Sequence, residues 1–224
     1  MALPFLLPLA DPLATNSDLV GPKAANLAAL ALAGLPTPGG FCITAEAYRR
    51  QTAHLGLRER MRGYADADAM QQRRLSVDIR LKLYQGELAP DLLAEVRAAW
   101  RDQPKPLAVR SSALIEDRAD ASFAGQFESF LGINDEAEFF TALRACWAAL
   151  WTTTARRVMA QRGRHPCETA MTVLVQPLIA ANASGGGLSE TADGQMLISA
   201  TWGLGSAIAQ GQVVPDRIVV TRAG

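Results

Sequence analysis

The sequence predicts an α+β fold, because helical and strand periodicities are mixed throughout its 224 residues and no internal repeat is present. Three observations carry this expectation. Leu92, Leu93, Val96 and Trp100 fall at helical spacing. Phe139, Leu143, Trp147 and Trp151 form a longer stripe of period 3.6, which reads as core. Between and after these stripes, short apolar or β-branched runs such as Leu107 to Arg110 and Met171 to Gln176 have the length and composition of buried strands.

Taken in order, the apolar start MALPFLLPLADPL lacks a basic n-region and carries Pro4 and Pro8, so it reads as an opening strand rather than a signal peptide. Gly21-Pro22-Lys23 opens a helix with Leu27, Leu30 and Ala31 on one face, closed by Gly34 and Pro36. Thr37-Pro38-Gly39-Gly40 is a turn, and Phe41 to Ile43 is a strand. Thr44 then N-caps a helix running to about Leu55. Helices follow over Met70 to Gln85 and Asp91 to Trp100. Beyond the strand ending at Arg110 comes a polar loop rich in Ser, Ala and Asp, and then an alternating strand from Glu128 to Ile133. Asn134 caps the aromatic-striped helix. Met196 to Ala200 and Arg217 to Thr221 complete the strands, while Ala-Ser-Gly-Gly-Gly at 183 to 187 reads as a flexible loop or a hinge near a lobe boundary.

Composition narrows the function classes. With 49% hydrophobic and 20% charged residues the chain is an ordinary globular protein, large enough to bury a core without disulfide or metal support. Lys plus Arg (22) balances Asp plus Glu (22), so no global field draws in nucleic acid or an anionic membrane, and any anion site is a local cluster. Cys42, Cys146 and Cys167 match neither a disulfide framework nor a zinc knuckle, which points to a reducing cytoplasm. No run of about 18 apolar residues predicts a membrane span.

Four positions carry candidate chemistry. Lys23 puts a cation in the first turn of a helix, where it opposes the helix dipole unless an anion is bound; Gly21 and the first-turn amides make phosphate the fitting anion, the alternative being a solvated surface lysine. Arg110 ends a strand and runs into Ser111-Ser112, a guanidinium beside two hydroxyls; it suits phosphate, or else pairs structurally with Glu116 or Asp117. Gly125 precedes the alternating strand that holds Ser129; it either admits a ligand or bends the chain. Gln176, just before Pro177, can bond an adenine edge or tie down a loop.

Four blocks, VGPKAANLAALALAGLPTPGGFCIT (20–44), LAVRSSALIEDRADASFAGQFESFLGI (107–133), VLVQPLIAANASGG (173–186) and ATWGLGSAIAQGQVVPDRIVV (200–220), span nearly the whole chain. In their order and spacing they resemble the N-terminal ATP-binding region of the phosphoenolpyruvate synthase, pyruvate phosphate dikinase and rifampin phosphotransferase family. The resemblance implies an ATP-grasp-like fold, with residues 1–180 as the N-terminal lobe and 181–224 as the beginning of a second, incomplete lobe. Carried over position by position, it implies phosphate contacts at Lys23 and Arg110, nucleotide contacts at Gly125 and Ser129, and an adenine-side contact at Gln176. Glu116 and Asp117 match the block as loop-shaping residues. The family's Gly-Gly-Lys stands here as Gly21-Pro22-Lys23, its Thr as Ser129, and its Ser-Gly-Val-x-Phe-Thr stretch as Ser184 to Ser189.

The chemistry so implied cleaves ATP to AMP and phosphate and passes the β-phosphate through a histidine to a small acceptor such as pyruvate, a phenol or an antibiotic. ATP and Mg²⁺ are the implied cofactors, with the metal ligands and a further arginine expected beyond Gly224. His54 and His165 lack the surroundings of a phosphorylated histidine, so a phosphohistidine-bearing domain or subunit is the expected partner, and the isolated chain is expected to be inactive. The alternative is a catalytically inactive nucleotide-binding or interaction module of the same fold. Neither nucleic acid nor membrane is an expected partner.

Overall fold

Five short strands form an antiparallel sheet: β1 (Leu6–Pro8), β2 (Phe41–Ile43), β3 (Leu107–Ala113), β4 (Ser129–Ile133) and β5 (Met171–Pro177), in the order β1-β2-β5-β3-β4. The computed structural model describes residues 3–115 and 129–221. The chain divides into two compact units, Met1–Leu178 and Ile179–Gly224, and this sheet belongs to the first.

Directly paired residues of antiparallel strands share a face of their sheet. Leu7, Cys42, Leu174, Arg110 and Ser129 therefore form one row across one face. Phe41, Val175, Val109 and Phe130 form a row across the other. The second face meets the larger core. It packs against α2 (Ala45–His54), α4 (Ala69–Gln85), α5 (Pro90–Arg101) and α6 (Glu136–Ala149), which contribute Tyr48, Ile79, Leu92, Phe139 and Trp147. Each such side chain, fully buried, contributes about 1.5–3 kcal/mol. All four residues of the aromatic stripe are buried, and Trp151, just past the end of α6, donates its indole N–H to the Tyr48 hydroxyl at 2.9 Å.

The first face meets one helix, α1 (Ser17–Leu32), through Val20, Ala24, Ala25 and Ala28. The inward face is thus the small alanines, with Leu27 packed at its margin, while Leu30 is exposed, against the expectation that Leu27, Leu30 and Ala31 lead. Small side chains let the helix approach the sheet closely, and that proximity carries the site described below.

Other elements sharpen or correct the sequence reading. Thr44 does cap α2, accepting from the Ala47 amide at 3.4 Å. The cap of α6 is Asp135, whose carboxylate accepts from the Glu138 amide at 2.8 Å; Asn134 instead donates to the Gly132 carbonyl. A further helix, α3 (Arg58–Ala65), buries only Tyr64 and so leaves no apolar stripe in the sequence. After α6 comes α7 (Thr153–Ala160). Strand β3 does not stop at Arg110 but continues to Ala113, because Ser111, Ser112 and Ala113 pair with Val173, Thr172 and Met171 of β5.

The second unit is a three-stranded antiparallel sheet of β6 (Ala183–Leu188), β7 (Met196–Trp202) and β8 (Asp216–Val220), with a single helical turn, α8 (Ser206–Ala209). Residues 183–187, expected as a loop or hinge, are ordered into β6 by a ladder with β7 running from Ala183 opposite Trp202 to Leu188 opposite Leu197. A Cβ at Gly185 would lie 2.6 Å from the Ser199 carbonyl oxygen, so glycine there serves strand contact rather than flexibility. Among its described residues, this unit buries no side chain.

Candidate functional site

Helix α1 is broken at Gly21, whose φ of 76° and ψ of 161° lie outside helical space, and it restarts at Pro22. Proline suits that first position because its φ is pre-set and its missing N–H costs no helical bond. The break puts the Gly21 backbone against β3 and β5: a Cβ there would lie 2.5 Å from Ser112 Oγ and 2.8 Å from Thr172 Oγ1. Ser112 Oγ accepts from the Lys23 amide at 3.4 Å. The Lys23 ammonium donates to the Ser111 carbonyl at 3.2 Å, which sets it beside the residue that follows Arg110.

Arg110 is half-buried in the middle of β3. It lies opposite Leu174 on one side and Ser129 on the other, and the exposed Ser129 shares its face on edge strand β4. Cross-strand partners hold their Cβ atoms about 4.5–5.5 Å apart, so the Arg110 and Ser129 side chains start as neighbours. Gln176 lies opposite Ala108 on the same face. It is buried, and its Nε2 donates to the Gly39 carbonyl at 3.1 Å. That bond fixes the Gly39-Gly40 segment, which the structure shows as irregular chain rather than the expected turn, against β5, where a Cβ at Gly40 would fall 2.1 Å from the Val175 carbonyl oxygen. Gln176 thus does tie down a loop, using one of its two amide N–H groups.

The fold accordingly brings Lys23, Arg110, Ser129 and Gln176 to one face of one sheet. Gly125 lies outside the described residues, as do Glu116 and Asp117. Of the histidines, His54 is exposed at the end of α2, whereas His165 is half-buried and meets Tyr64 edge to face, ring centroids 5.8 Å apart. Among the described residues no group of three or more His, Cys, Asp or Glu is placed to hold a metal ion. No described helix is long and apolar enough to cross a membrane.

Two contacts at the Gly21 break were not read from the sequence. Thr172 is a fully buried hydroxyl in the apolar half of β5; its Oγ1 lies 2.7 Å from the Val20 carbonyl oxygen and 2.6 Å from that of Ser112. Cys42 donates to the same Val20 carbonyl at 3.3 Å, and burial pushes its thiol up to about 12. The one available signal was polarity: Thr172 interrupts the apolar run of Met171 to Val175.

Residues 17–224 match the family described as pyruvate phosphate dikinase, AMP/ATP-binding domain. Among curated proteins, the chain is 33% identical to a phosphoenolpyruvate synthase of Aeropyrum pernix, over 92% of this chain and 27% of that protein. It is 33% identical to a phosphoenolpyruvate synthase of Neisseria meningitidis, over 92% of this chain and 29% of that protein. It is 31% identical to the uncharacterized phosphotransferase YvkC of Bacillus subtilis, over 93% of this chain and 24% of that protein. The chain therefore spans about a quarter of the length of these relatives.

Proposed function

The chain belongs to the pyruvate phosphate dikinase AMP/ATP-binding family, and on that premise we propose that it is the ATP-binding part of a dikinase-type phosphotransferase with an ATP-grasp-like fold. In this reading ATP is cleaved to AMP and phosphate, and the β-phosphoryl group passes to a histidine on another domain or subunit and then to a small-molecule acceptor. The observation that carries the reading is the meeting of the Lys23 ammonium with the Ser111 carbonyl, next to Arg110 on a sheet face it shares with Ser129 and Gln176.

The layout suits an extended nucleoside triphosphate. From the Ala108 row, where Gln176 sits, to the Ser112 row, where α1 restarts, is four residues of strand, about 13 Å at 3.2–3.4 Å per residue. The base belongs at the Gln176 end, where one carboxamide N–H and the carbonyl oxygen remain after the bond to Gly39. The phosphates belong at the Lys23 and Arg110 end, with the Ser129 hydroxyl beside them. Phosphoryl transfer spreads charge over non-bridging oxygens, and fixed cations lower that barrier with little covalent chemistry of their own. Lys23 gives a point charge, and Arg110 gives a planar fork that can bond two oxygens at once. In this reading the chemistry also draws on Mg²⁺, whose ligands lie outside this chain.

Calorimetric titration of the chain with ATP should show binding, weakened in Gln176→Ala. In the complete phosphotransfer system, Lys23→Ala or Arg110→Ala should cost about 100- to 1000-fold in turnover, the loss typical of one charge-assisted donor to a developing anion. Arg110→Lys should recover only part of it. Turnover within two- or threefold of the parent in Lys23→Ala would favour the surface-lysine reading of that residue, and a fall in thermal stability without a selective kinetic defect in Arg110→Ala would make that residue a structural arginine.

A further inference from the structure

We infer that Ser112 and Thr172 are positioning residues that hold the Lys23 turn in register on the strand carrying Arg110, so that the two cations face one phosphate group; the inference rests on the phosphate reading above and extends it. The geometry is specific. At the break, Thr172 Oγ1, at 2.7 Å, and Cys42 Sγ, at 3.3 Å, lie within bonding distance of the Val20 carbonyl oxygen. The same Thr172 hydroxyl lies 2.6 Å from the Ser112 carbonyl oxygen. One hydroxyl proton shared between two carbonyls draws the last turn before the break and strand β3 toward a common point.

Ser112 completes the link from the other side of the break. Its Oγ accepts from the Lys23 amide, one of the first-turn donors that a restarted helix leaves unpaired. Both hydroxyl residues are fully buried, so water does not substitute for either. Gly21 lies between them with no room for a side chain, which leaves the turn little freedom to slide along the strand. Arg110 is two residues from Ser112 on the same strand face, so whatever fixes the Lys23 turn to Ser112 also fixes it relative to Arg110.

Two measurements on the same variants test this. In the ligand-free chain, limited acetylation read by mass spectrometry compares Lys23 with Lys82, which lies on α4 away from the turn. Thr172→Val and Ser112→Ala should each raise the Lys23 labelling rate relative to Lys82 by about three- to tenfold, the factor expected for one lost buried hydrogen bond. Thr172→Ser, which keeps the hydroxyl, should label like the parent. Titration with ATP and with adenosine follows. ATP affinity should fall by about the same factor in Thr172→Val while adenosine affinity holds, and in a Lys23→Ala background Thr172→Val should have no further effect on ATP.

The outcomes separate the two ideas. If the variants show the labelling changes but the parent chain does not bind ATP, the phosphate reading is lost while the registering role stands. Unchanged Lys23 labelling in both Thr172→Val and Ser112→Ala overturns the registering role. So does an ATP loss that is the same size with or without Lys23, because that is the behaviour of general loosening. Should Thr172→Val fail to fold, Ser112→Ala carries the same comparison alone.

Discussion

Cys42 shows how burial sets the chemistry of a single group. Its sulfur is fully enclosed between α1 and the sheet, where desolvation raises the thiol from its ordinary 9.0 to about 12, against the lowering effect of hydrogen bonding to Thr172. The neutral thiol is therefore the folded form over the whole physiological range. A thiol reagent at pH 8 should modify the half-buried Cys167 slowly and leave Cys42 and Cys146 untouched until denaturant is added. The alkaline limb follows from the same shift. Between pH 9.0 and about 12 the folded chain keeps a proton that the unfolded chain has lost, so stability falls as pH rises. The slope approaches about 1.4 kcal/mol per pH unit. Burial also raises the Tyr48 phenol above its ordinary 10.0, which steepens the decline at higher pH. Urea midpoints measured from pH 8 to 10.5 should drop in the parent and drop less in Cys42→Ala.

Helix α4 is held at its start by a reciprocal cap. The Asp68 carboxylate accepts from the Met70 and Gln71 amides, each at 2.9 Å, and the Gln71 side chain accepts from the Asp68 amide at 3.4 Å. The cap matters because α4 buries little of itself: Ser76, Ile79 and Leu83 face inward while Met70, Val77, Leu81 and Tyr84 are exposed. Asp68→Ala should destabilise the chain by about 1 kcal/mol, seen as a lower urea midpoint at unchanged slope, and Asp68→Asn should restore most of it. Helix α5 ends differently. Lys105 donates to the Trp100 and Gln103 carbonyls and lies 4.3 Å from the Trp100 ring centroid, a cation placed where the helix dipole favours one.

The two units differ in what protects their backbones. Strands β3 and β5 are buried almost throughout, whereas no described residue of the second unit is. Local opening is governed by how much apolar surface must be exposed to break the ladder. Hydrogen exchange should therefore find the amides of Gly185–Gly187 and Arg217–Val219 exchanging about 100-fold faster, or more, than those of Val109 and Val173–Val175. Equal protection would show that the backbone of the second unit is held by more than its own ladder.

Much of this organisation is written in local patterns. The strand at Met171, the helix at Met70, the cap at Thr44 and the aromatic stripe all follow from period, punctuation and short-range hydrogen bonding, which act over a few residues and so are legible in order. The candidate residues Lys23, Arg110 and Gln176 were also legible one at a time, as polar groups at marked places beside apolar runs, and Ser129 through the family resemblance. Their common face was not, because it depends on the register of β5 between β2 and β3, a pairing between residues at least 58 positions apart. The same long-range pairing carried β3 past Arg110 and made alanine rather than leucine the inward face of α1, while the β6–β7 ladder turned the glycines at 185 to 187 into a strand. A backbone hydrogen bond is blind to sequence, so which strands pair is settled by the packing of both sheet faces at once, and only the folded chain carries that information.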